Sequence, residues 1–169
     1  MAIELLILDV DGVLTDGHFI LTEQGEEFKA FDAKDGHGLR MLMNAGIDVV
    51  IISGRKSKSV DHRARDLGIT GVYQGVKDKK ALLLEIMEQK RLSREKVCCV
   101  GDDLPDLALF FHAGVSIAVA DAVPEVQQAA SFITKSRGGS GAVREVCEKI
   151  LKAKNLWPYP PVLDGTREK

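Results

Sequence analysis

The sequence predicts an α/β protein built in three layers around a mainly parallel sheet. Short apolar runs bounded by Gly, Asp and Ser alternate with amphipathic segments along most of the chain, a pattern typical of βαβ units with helices on both faces of a sheet. Apolar residues make up 45% of the 169-residue chain but aromatic residues only 5%. Val, Ile, Leu and Ala must therefore fill the core, as in buried parallel sheets. Together these features predict a Rossmann-like fold with a small inserted β-hairpin.

Each element follows from its local pattern. Six short apolar runs are predicted to be buried strands: Ile3–Leu8, Asp48–Ile52, Gly71–Gln74, Lys96–Val100, Val115–Ala118 and Ser131–Ile133. Five segments with helical spacing of apolar residues are predicted to be helices: Gly36–Asn44, Ser57–Leu67, Asp78–Lys90, Leu104–His112 and Val143–Lys154. A hairpin insert at about residues 17–31 is expected from two short β-prone stretches around a Gly-containing turn. We expect one domain over residues 1–154 and a Pro-rich tail, 155–169, that either docks or extends without helix.

Charge, cysteine content and the N-terminal segment exclude several classes of protein. The formal net charge of -2 gives no support for nucleic-acid binding. The three cysteines form no CxxC pair, and their odd number argues against a disulfide framework, so we interpret them as small core residues in a reducing, cytoplasmic setting. Glu4 and Asp9 interrupt the first apolar run, which is too short to span a membrane and does not resemble a signal peptide.

Two carboxylates and a glycine follow the first predicted strand. Asp9 and Asp11 have the spacing i, i+2, which places them on one face of a regular strand. Clustered carboxylates need a cation or a shared proton, and Mg²⁺ commonly binds one or two of them together with phosphate oxygens. A carboxylate can also act as a nucleophile and form an acyl-phosphate, and Gly12 permits a sharp turn. An ordinary Asp-Gly turn is the alternative for this motif taken alone.

Two further strand ends carry residues suited to binding an anion. Ser53, Gly54 and Arg55 offer a hydroxyl group and a guanidinium group to a phosphate, although an ordinary helix N-cap explains them equally well. The segment Lys77–Lys80 opens the third predicted helix, where one lysine would neutralise a phosphoryl group. Three lysines compete for that role, and the residue pattern alone does not choose among them.

A fourth strand end is acidic. Asp102, Asp103 and Asp106 follow the Lys96–Val100 strand and either complete a metal site or cap the following helix. The carboxyl ends of the strands are where open α/β sheets bind ligands. The four strand ends together therefore predict a phosphoryl-transfer site.

This set of motifs resembles the haloacid dehalogenase superfamily of phosphohydrolases, in its capless subclass. The resemblance extends from Ile3 to about Lys154 and aligns the four strand ends with the four motifs of the superfamily. It implies that Asp9 attacks phosphorus and that Asp11 serves first as general acid and then as general base. It also implies that Ser53 and Lys79 bind the phosphoryl group, which singles out Lys79 among the three lysines.

The resemblance further implies a magnesium cofactor. The ion would be held by the Asp9 carboxylate, the Asp11 main-chain carbonyl and the Asp102 carboxylate, with Asp103 and Asp106 behind them. Manganese or cobalt as the working metal stays open. A signalling receiver domain is disfavoured because its phosphorylated Asp ends a middle strand, and an inactive assembly module is disfavoured because all four motifs are intact.

Four other stretches narrow the resemblance to phosphatases of sugar acid phosphates: residues 31–40, 52–56, 73–75 and 138–145. The implied substrate is 3-deoxy-D-manno-octulosonate 8-phosphate, from lipopolysaccharide sugar synthesis, whose carboxylate and phosphate would pair with basic side chains. The implied substrate contacts are Asp11, Asp32, Lys34, Asp35, Gly36, Arg40, Gly54, Arg55, Arg63 and Lys79. A nine-carbon, sialic-acid-type 9-phosphate is the alternative, but Arg55 stands where that group commonly has glutamate.

The short distance between the first two motifs predicts quaternary structure. Many relatives insert a cap domain near this point, whereas residues 15–45 leave room only for a hairpin and a helix. An open site would shield phosphoryl transfer poorly from water. The resemblance implies a homotetramer in which a neighbouring subunit covers the site, with the hairpin at the interface. The tail around Trp157 either reaches a neighbouring site or extends freely.

Overall fold

Residues 3–158 are described by a computed structural model of the protein, and within them six parallel strands form one sheet beside a two-stranded antiparallel hairpin. The strands are β1 (Leu5–Leu8), β2 (Ile20–Leu21), β3 (Glu27–Phe28), β4 (Asp48–Ser53), β5 (Gly71–Gln74), β6 (Val97–Gly101), β7 (Val115–Ala118) and β8 (Phe132–Ile133). The helices are α1 (Ala33–Asn44), α2 (Lys58–Leu67), α3 (Lys79–Lys90), α4 (Leu107–Phe110), α5 (Pro124–Ala129) and α6 (Ala142–Ala153). Two 3₁₀ turns, Arg94–Lys96 and Leu104–Asp106, precede β6 and α4.

The strand order β5-β4-β1-β6-β7-β8 places β1 where the chain reverses its direction of winding. From β1 the chain runs outward to β4 and β5, crosses back to β6, and continues to β7 and β8. Because parallel crossovers are right-handed, α1 and α2 cover one face of the sheet and α3, α4 and α5 cover the other, while α6 packs against α1. The predicted layered α/β fold with a parallel sheet and a small hairpin is confirmed.

The strand register brings the candidate site residues to one edge of the sheet. Leu8 of β1 is level with Ile51 of β4 and with Val100 of β6. The residues that follow these strands, including Asp9 and Asp102, therefore meet at the carboxyl ends of the three central strands. A crevice at such a reversal point is the usual ligand site of open α/β sheets.

The core between the layers is aliphatic, as the composition predicts. Every residue of β1 is fully buried, and so are Cys98 and Cys99 of β6 and Cys147 of α6. Burial raises the pKa of Cys98 to about 12, so its thiol stays protonated and unreactive. The interpretation of the cysteines as small core residues is therefore confirmed.

Two predicted helices differ from the structure, and one helix was not foreseen. The predicted helix Leu104–His112 is wrong in its first turn, because the Asp106 N–H donates to the Asp103 carbonyl in the tighter 3₁₀ pattern. Helix α1 begins before Gly36 because the Asp32 carboxylate caps it. Helix α5 has six residues, too few to produce a recognisable periodic pattern.

The C-terminal end of the described chain lies along α6. Trp157 packs over Arg144 and Lys152, with the two cationic groups 5.4 and 4.8 Å from its ring centroid. Residues 159–169 of the predicted tail lie outside the described residues, as do residues 1 and 2. Within residues 3–158, the helices are all too short or too polar to cross a bilayer.

Candidate active site

The loop after β1 is tightly wound and brings two acidic strand ends together. The Val10 carbonyl accepts hydrogen bonds from three backbone N–H groups, those of residues 13–15. Gly12 has a φ of +92°, a conformation that favours glycine. A Cβ added to Gly12 would lie 2.0 Å from Oδ2 of Asp102. The missing side chain therefore allows the Asp102 carboxylate to lie directly against this loop.

Lys79 is the lysine that reaches the crevice. Asp78 caps α3 by accepting a hydrogen bond from the Ala81 N–H, and Lys79 is the first residue of that helix. Its Nζ lies 2.8 Å from Oδ1 of Asp9 and 2.7 Å from Oδ1 of Asp106. Burial would lower the pKa of Lys79, but the two carboxylates outweigh burial and hold it above its usual value. The lysine is therefore a buried, permanent cation, whereas its two neighbouring lysines are exposed.

The three acids after β6 have different surroundings. Asp106 is buried and uses both of its oxygens, because Oδ1 contacts Lys79 and Oδ2 accepts a hydrogen bond from the Asp102 N–H at 3.0 Å. Asp103 is exposed and caps the 3₁₀ turn through the Leu104 N–H. Asp102 has a buried Oδ1 with no hydrogen-bond partner among the described residues. Asp106 is therefore placed to support its neighbours, while Asp102 has an oxygen free to bind a ligand.

A bound cation would stabilise the ionised carboxylates of the acidic cluster formed by Asp9, Asp102 and Asp106. Burial and the nearby Asp106 carboxylate raise the pKa of Asp9 to about 6, although Lys79 opposes the shift. Burial and the charges of Asp106, Asp9 and Asp103 raise the pKa of Asp102 to about 8. Both shifts reflect carboxylates that would be close together and poorly solvated when ionised. A bound cation would relieve this repulsion.

The donor atoms fit a hard divalent metal ion. Asp9, Asp102 and Asp106 can each bring one ligand atom within 4.8 Å of the others. Asp106 is already engaged by Lys79 and by a backbone N–H, so Asp9 and the unpaired oxygen of Asp102 are the better ligands. Carboxylate and carbonyl oxygens are the ligands that magnesium and similar ions prefer. The residues present can therefore hold a metal.

A cavity of about 210 Å³ joins this cluster to the end of β4. Its walls are formed by the acids that follow β1 and β6, by Lys79 and by the segment at the end of β4. The acids after β1 are Asp9 and Asp11, and the β4 segment is Ser53, Gly54 and Arg55. Ser53 is buried, and its Oγ accepts a hydrogen bond from the Arg55 N–H at 3.3 Å. The four strand ends recognised in the sequence thus surround one small polar space.

The hairpin contributes residues that sequence reasoning missed. The Lys29 ammonium forms an ion pair with Oδ1 of Asp11 and lies 3.0 Å from Oε1 of Glu27. Nη2 of Arg55 lies 2.7 Å from Oε2 of Glu27. The Phe19 ring covers the cationic groups of both Lys29 and Arg55, at 4.8 and 4.2 Å from its centroid. The sequence showed only a lysine within the predicted hairpin, and that signal is too common to identify a site.

The acids at the start of α1 serve the fold and do not line this cavity. Asp32 Oδ1 accepts hydrogen bonds from the backbone N–H groups of Lys34 and Asp35. Asp35 is buried, and its Oδ1 accepts a hydrogen bond from the Arg144 N–H at 2.6 Å. The Lys34 side chain is exposed. Within one chain, these three expected substrate contacts are therefore not among the residues that line the cavity beside the acidic cluster.

Three more of the expected contacts border a separate cavity of about 130 Å³ between α1 and α2. Arg40 and Arg63 both form ion pairs with Asp66 there, and the guanidinium group of Arg63 lies over Gly36. Of the substrate contacts expected from the sequence, the structure brings only Asp11, Gly54, Arg55 and Lys79 to the cavity beside the acidic cluster.

Comparison with known proteins identifies the family of this chain. The model of haloacid dehalogenase-like hydrolases matches residues 72–146. The 3-deoxy-D-manno-octulosonate 8-phosphate phosphatase KdsC of Yersinia pestis is 47% identical over 153 residues, which are 90% of this chain and 82% of that protein.

Solved structures show the same similarity along most of the chain. The 3-deoxy-D-manno-octulosonate 8-phosphate phosphatase of Moraxella catarrhalis, in complex with magnesium, phosphate and KDO, has a TM-score of 0.89 at 43% identity and covers 92% of this chain and 90% of its own. The cobalt-bound phosphatase of Haemophilus influenzae has a TM-score of 0.88 at 40% identity, with coverage of 91% and 90%. The chain therefore belongs to the haloacid dehalogenase-like hydrolase family, on the phosphatase branch that these relatives represent.

Proposed function

We propose that this protein is a magnesium-dependent phosphatase that hydrolyses 3-deoxy-D-manno-octulosonate 8-phosphate to the free sugar acid and phosphate. The observation that carries the proposal is the Asp9 carboxylate, which lies 2.8 Å from Lys79, beside Asp102, in the wall of the cavity at the central strand ends. The relatives from Yersinia and Moraxella, both named for this activity, support the choice of substrate. The proposed setting is lipopolysaccharide sugar synthesis in the cytoplasm.

The proposed reaction has two halves, joined by an aspartyl-phosphate. An oxygen of Asp9 bonds to phosphorus while the bond from phosphorus to the sugar oxygen breaks, and Asp11 gives its proton to that leaving oxygen. Water then attacks phosphorus, Asp11 takes a proton from it, and the bond to Asp9 breaks to release phosphate. Lys79 and Ser53 stabilise the negative charge on the phosphoryl oxygens throughout.

Asp9, Asp102 and the main-chain carbonyl of Asp11 are the proposed magnesium ligands. When bound, the ion supplies positive charge that neutralises the phosphoryl oxygens. Asp106 supports the site because it holds both Lys79 and the backbone of Asp102. Because one relative was solved with magnesium and another with cobalt, the ions to compare are magnesium, manganese and cobalt.

The substrate choice depends on the cavity wall as well as on the relatives. Gly54 and Arg55 line the space beside the cluster, and we propose that the Arg55 guanidinium pairs with an anionic group of the sugar acid. A sugar acid phosphate carries two such groups, a carboxylate and a phosphate. These two groups fit a cavity lined by two cationic side chains, Lys79 and Arg55. A nine-carbon sugar acid 9-phosphate is the competing substrate.

The test is a phosphate-release assay over sugar acid phosphates of eight and nine carbons, with each metal and with chelator. We expect the eight-carbon 8-phosphate to have the highest kcat/KM, and we expect chelator to abolish turnover. Asp9→Asn should lower kcat by at least about a thousandfold because it removes the nucleophile. Phosphate release by Asp9→Asn at the wild-type rate would refute the nucleophile, and comparable turnover of both sugars would refute the substrate assignment.

Two lysines on α3 provide a matched pair for the same assay. Lys79→Met removes the buried cation that contacts Asp9, so we expect kcat to fall by at least about a hundredfold. Lys80→Met removes an exposed lysine one position away and should leave kcat within about twofold of wild type. Equal losses in the two variants would contradict the role proposed for Lys79.

A further inference from the structure

Lys29 is an almost fully buried lysine that the proposed reaction does not yet use. Its side chain is only 1% exposed. Its ammonium is enclosed by the carboxylates of Asp11 and Glu27 and by the ring of Phe19. Because burying a lysine is costly unless its charge is paired, this placement requires the two carboxylates. The contact with Asp11 is therefore a built feature of the site.

The hairpin that carries Lys29 has little structure of its own to hold it in place. Its two strands pair over only two residues each, Ile20 with Phe28 and Leu21 with Glu27. A two-stranded hairpin of this size is at best marginally stable in isolation. Lys29, directly after the second strand, and Arg55, after β4, tie it to the domain through charged contacts.

Each of the two proposed catalytic aspartates is contacted by a lysine, and the two lysines come from different elements. Asp9 is bonded by Lys79 from α3. Asp11 is bonded at Oδ1 by Lys29 from the hairpin, and its Oδ2 lies 3.8 Å from Nε of Arg55. Proton transfer requires the acid to lie within hydrogen-bond reach of the oxygen that gains or loses the proton. A cation that fixes the Asp11 carboxylate against the cavity wall would meet this requirement.

We propose that Lys29 is a positioning residue for the reaction: its contact with Oδ1 holds the Asp11 carboxyl group in the orientation from which Oδ2 gives a proton to the leaving oxygen of the ester and then takes one from water. The inference rests on the proposed function, because it takes from there the role of Asp11. The hairpin would then contribute to catalysis in its own chain, in addition to its expected position at a subunit interface.

A purely structural role predicts a different result from the same variants. If Lys29 only pins the hairpin, any change that loosens the hairpin should have the same effect. Phe19→Leu removes the ring that covers Lys29 and Arg55 but leaves the Lys29–Asp11 ion pair in place. Lys90→Met removes a lysine that is ion-paired with Asp48 at the start of β4, far from the cavity.

The experiment measures kcat and KM for Lys29→Met, Lys29→Arg, Phe19→Leu and Lys90→Met with the sugar acid phosphate and magnesium. Thermal unfolding and size exclusion show whether each variant is folded and assembled like wild type. We expect Lys29→Met to lower kcat by at least about tenfold with KM within about threefold. Lys29→Arg, which retains a cation, should have at least about three times the kcat of Lys29→Met. Lys90→Met should have a kcat within about threefold of wild type, and Phe19→Leu should keep at least about three times the kcat of Lys29→Met because it leaves the Lys29–Asp11 ion pair in place.

Several results would overturn the proposal: a Lys29→Met enzyme with wild-type kcat, a loss expressed only in KM, no recovery with arginine, or an equal loss in Phe19→Leu. Should Lys29→Met not fold, Lys29→Gln takes its place in the same comparison. Wild-type protein that releases no phosphate from any sugar acid phosphate would instead refute the proposed function. The two failures are therefore distinguishable.

Discussion

At Gly12, the absence of a side chain decides how closely the Asp102 carboxylate can approach the loop after β1. Gly12→Ala would place a Cβ 2.0 Å from Oδ2 of Asp102, so the carboxylate or the loop must move. We expect weaker magnesium activation and a kcat/KM lower by at least about a hundredfold. The measurement is phosphate release as a function of magnesium concentration.

Gly46 provides the control for that substitution. It has a similar φ of +78° but open space where a Cβ would lie, so Gly46→Ala carries similar backbone strain without the clash. Its kcat/KM and magnesium dependence should match wild type within about twofold. A Gly12→Ala enzyme that behaves like Gly46→Ala would show that close approach of Asp102 to the loop is not required.

The position of a site residue relative to the strands determines whether the sequence can reveal it. Asp9 and Asp102 each follow a buried strand directly and Ser53 ends one, so the parallel topology alone brings them together. Lys29 is 18 residues from Asp11 along the chain and reaches it only because the hairpin folds back over the sheet edge. The docking of a short hairpin depends on tertiary contacts, which no local pattern records.

At the junction of helices α1 and α6, a buried carboxyl group should make the stability of the protein depend on pH. Gly141 cannot cap α6 with a side chain, and the buried Asp35 of α1 instead accepts the Arg144 N–H. Burial raises the pKa of Asp35 to about 6, although that hydrogen bond opposes the shift. Its other oxygen has no hydrogen-bond partner among residues 3–158. The ionised form is thus the less favourable one in the folded protein.

The sign of the pH effect follows from this raised pKa. The stability that Asp35 contributes is complete below about pH 3.8, decreases as pH rises through about 6, and is absent above. Asp35→Asn keeps an acceptor for the Arg144 N–H and removes the charge. We therefore expect Asp35→Asn to be more stable than wild type by roughly 1–3 kcal/mol at about pH 7.5 and by much less near pH 4.5. Urea unfolding at the two pH values measures the difference.

An exposed acid provides the comparison for that experiment. Asp48→Asn removes a carboxylate that forms an exposed ion pair with Lys90, so its effect on stability should be small and similar at both pH values. A pH-independent effect of Asp35→Asn would show that its carboxylate is not strained by burial.

The elements differ in how far the sequence determines them. Strands β1, β4 and β6 were predicted to within one or two residues because their continuous apolar runs have the length of a strand and are too short for a typical helix. Helix α1 was predicted to begin too late, since the capping role of Asp32 is only one of several that an aspartate can have. The six residues of α5 are held by packing against α4 and β7, so their helical state is a tertiary property.

At the scale of the whole molecule, the sheet topology explains the location of the site and its openness. The chain reverses at β1, so the first motif lies between the ends of β4 and β6, and the segments that follow these two strands line the cavity. Between β1 and α1 the only regular structure is the small hairpin. Within residues 3–158, no larger insert near the site could serve as a lid. We therefore propose that another chain protects the proposed aspartyl-phosphate from unproductive side reactions.

The hairpin exposes the apolar surface that such an assembly needs. Ile20, Leu21 and Phe28 are 61%, 62% and 55% exposed in the single chain, which is unusual for neighbouring residues of this size on a soluble protein. We propose that neighbouring copies bury these side chains in a homotetramer. The double change Ile20→Ser and Leu21→Ser should then shift the sedimentation coefficient from that of a tetramer to that of a smaller species. It should also lower kcat/KM by at least about tenfold, because each site would lose its cover. Leu84→Ser, at a 42% exposed leucine of α3, should leave both properties unchanged; a monomeric wild type, or a fully active dissociated variant, would contradict the assembly.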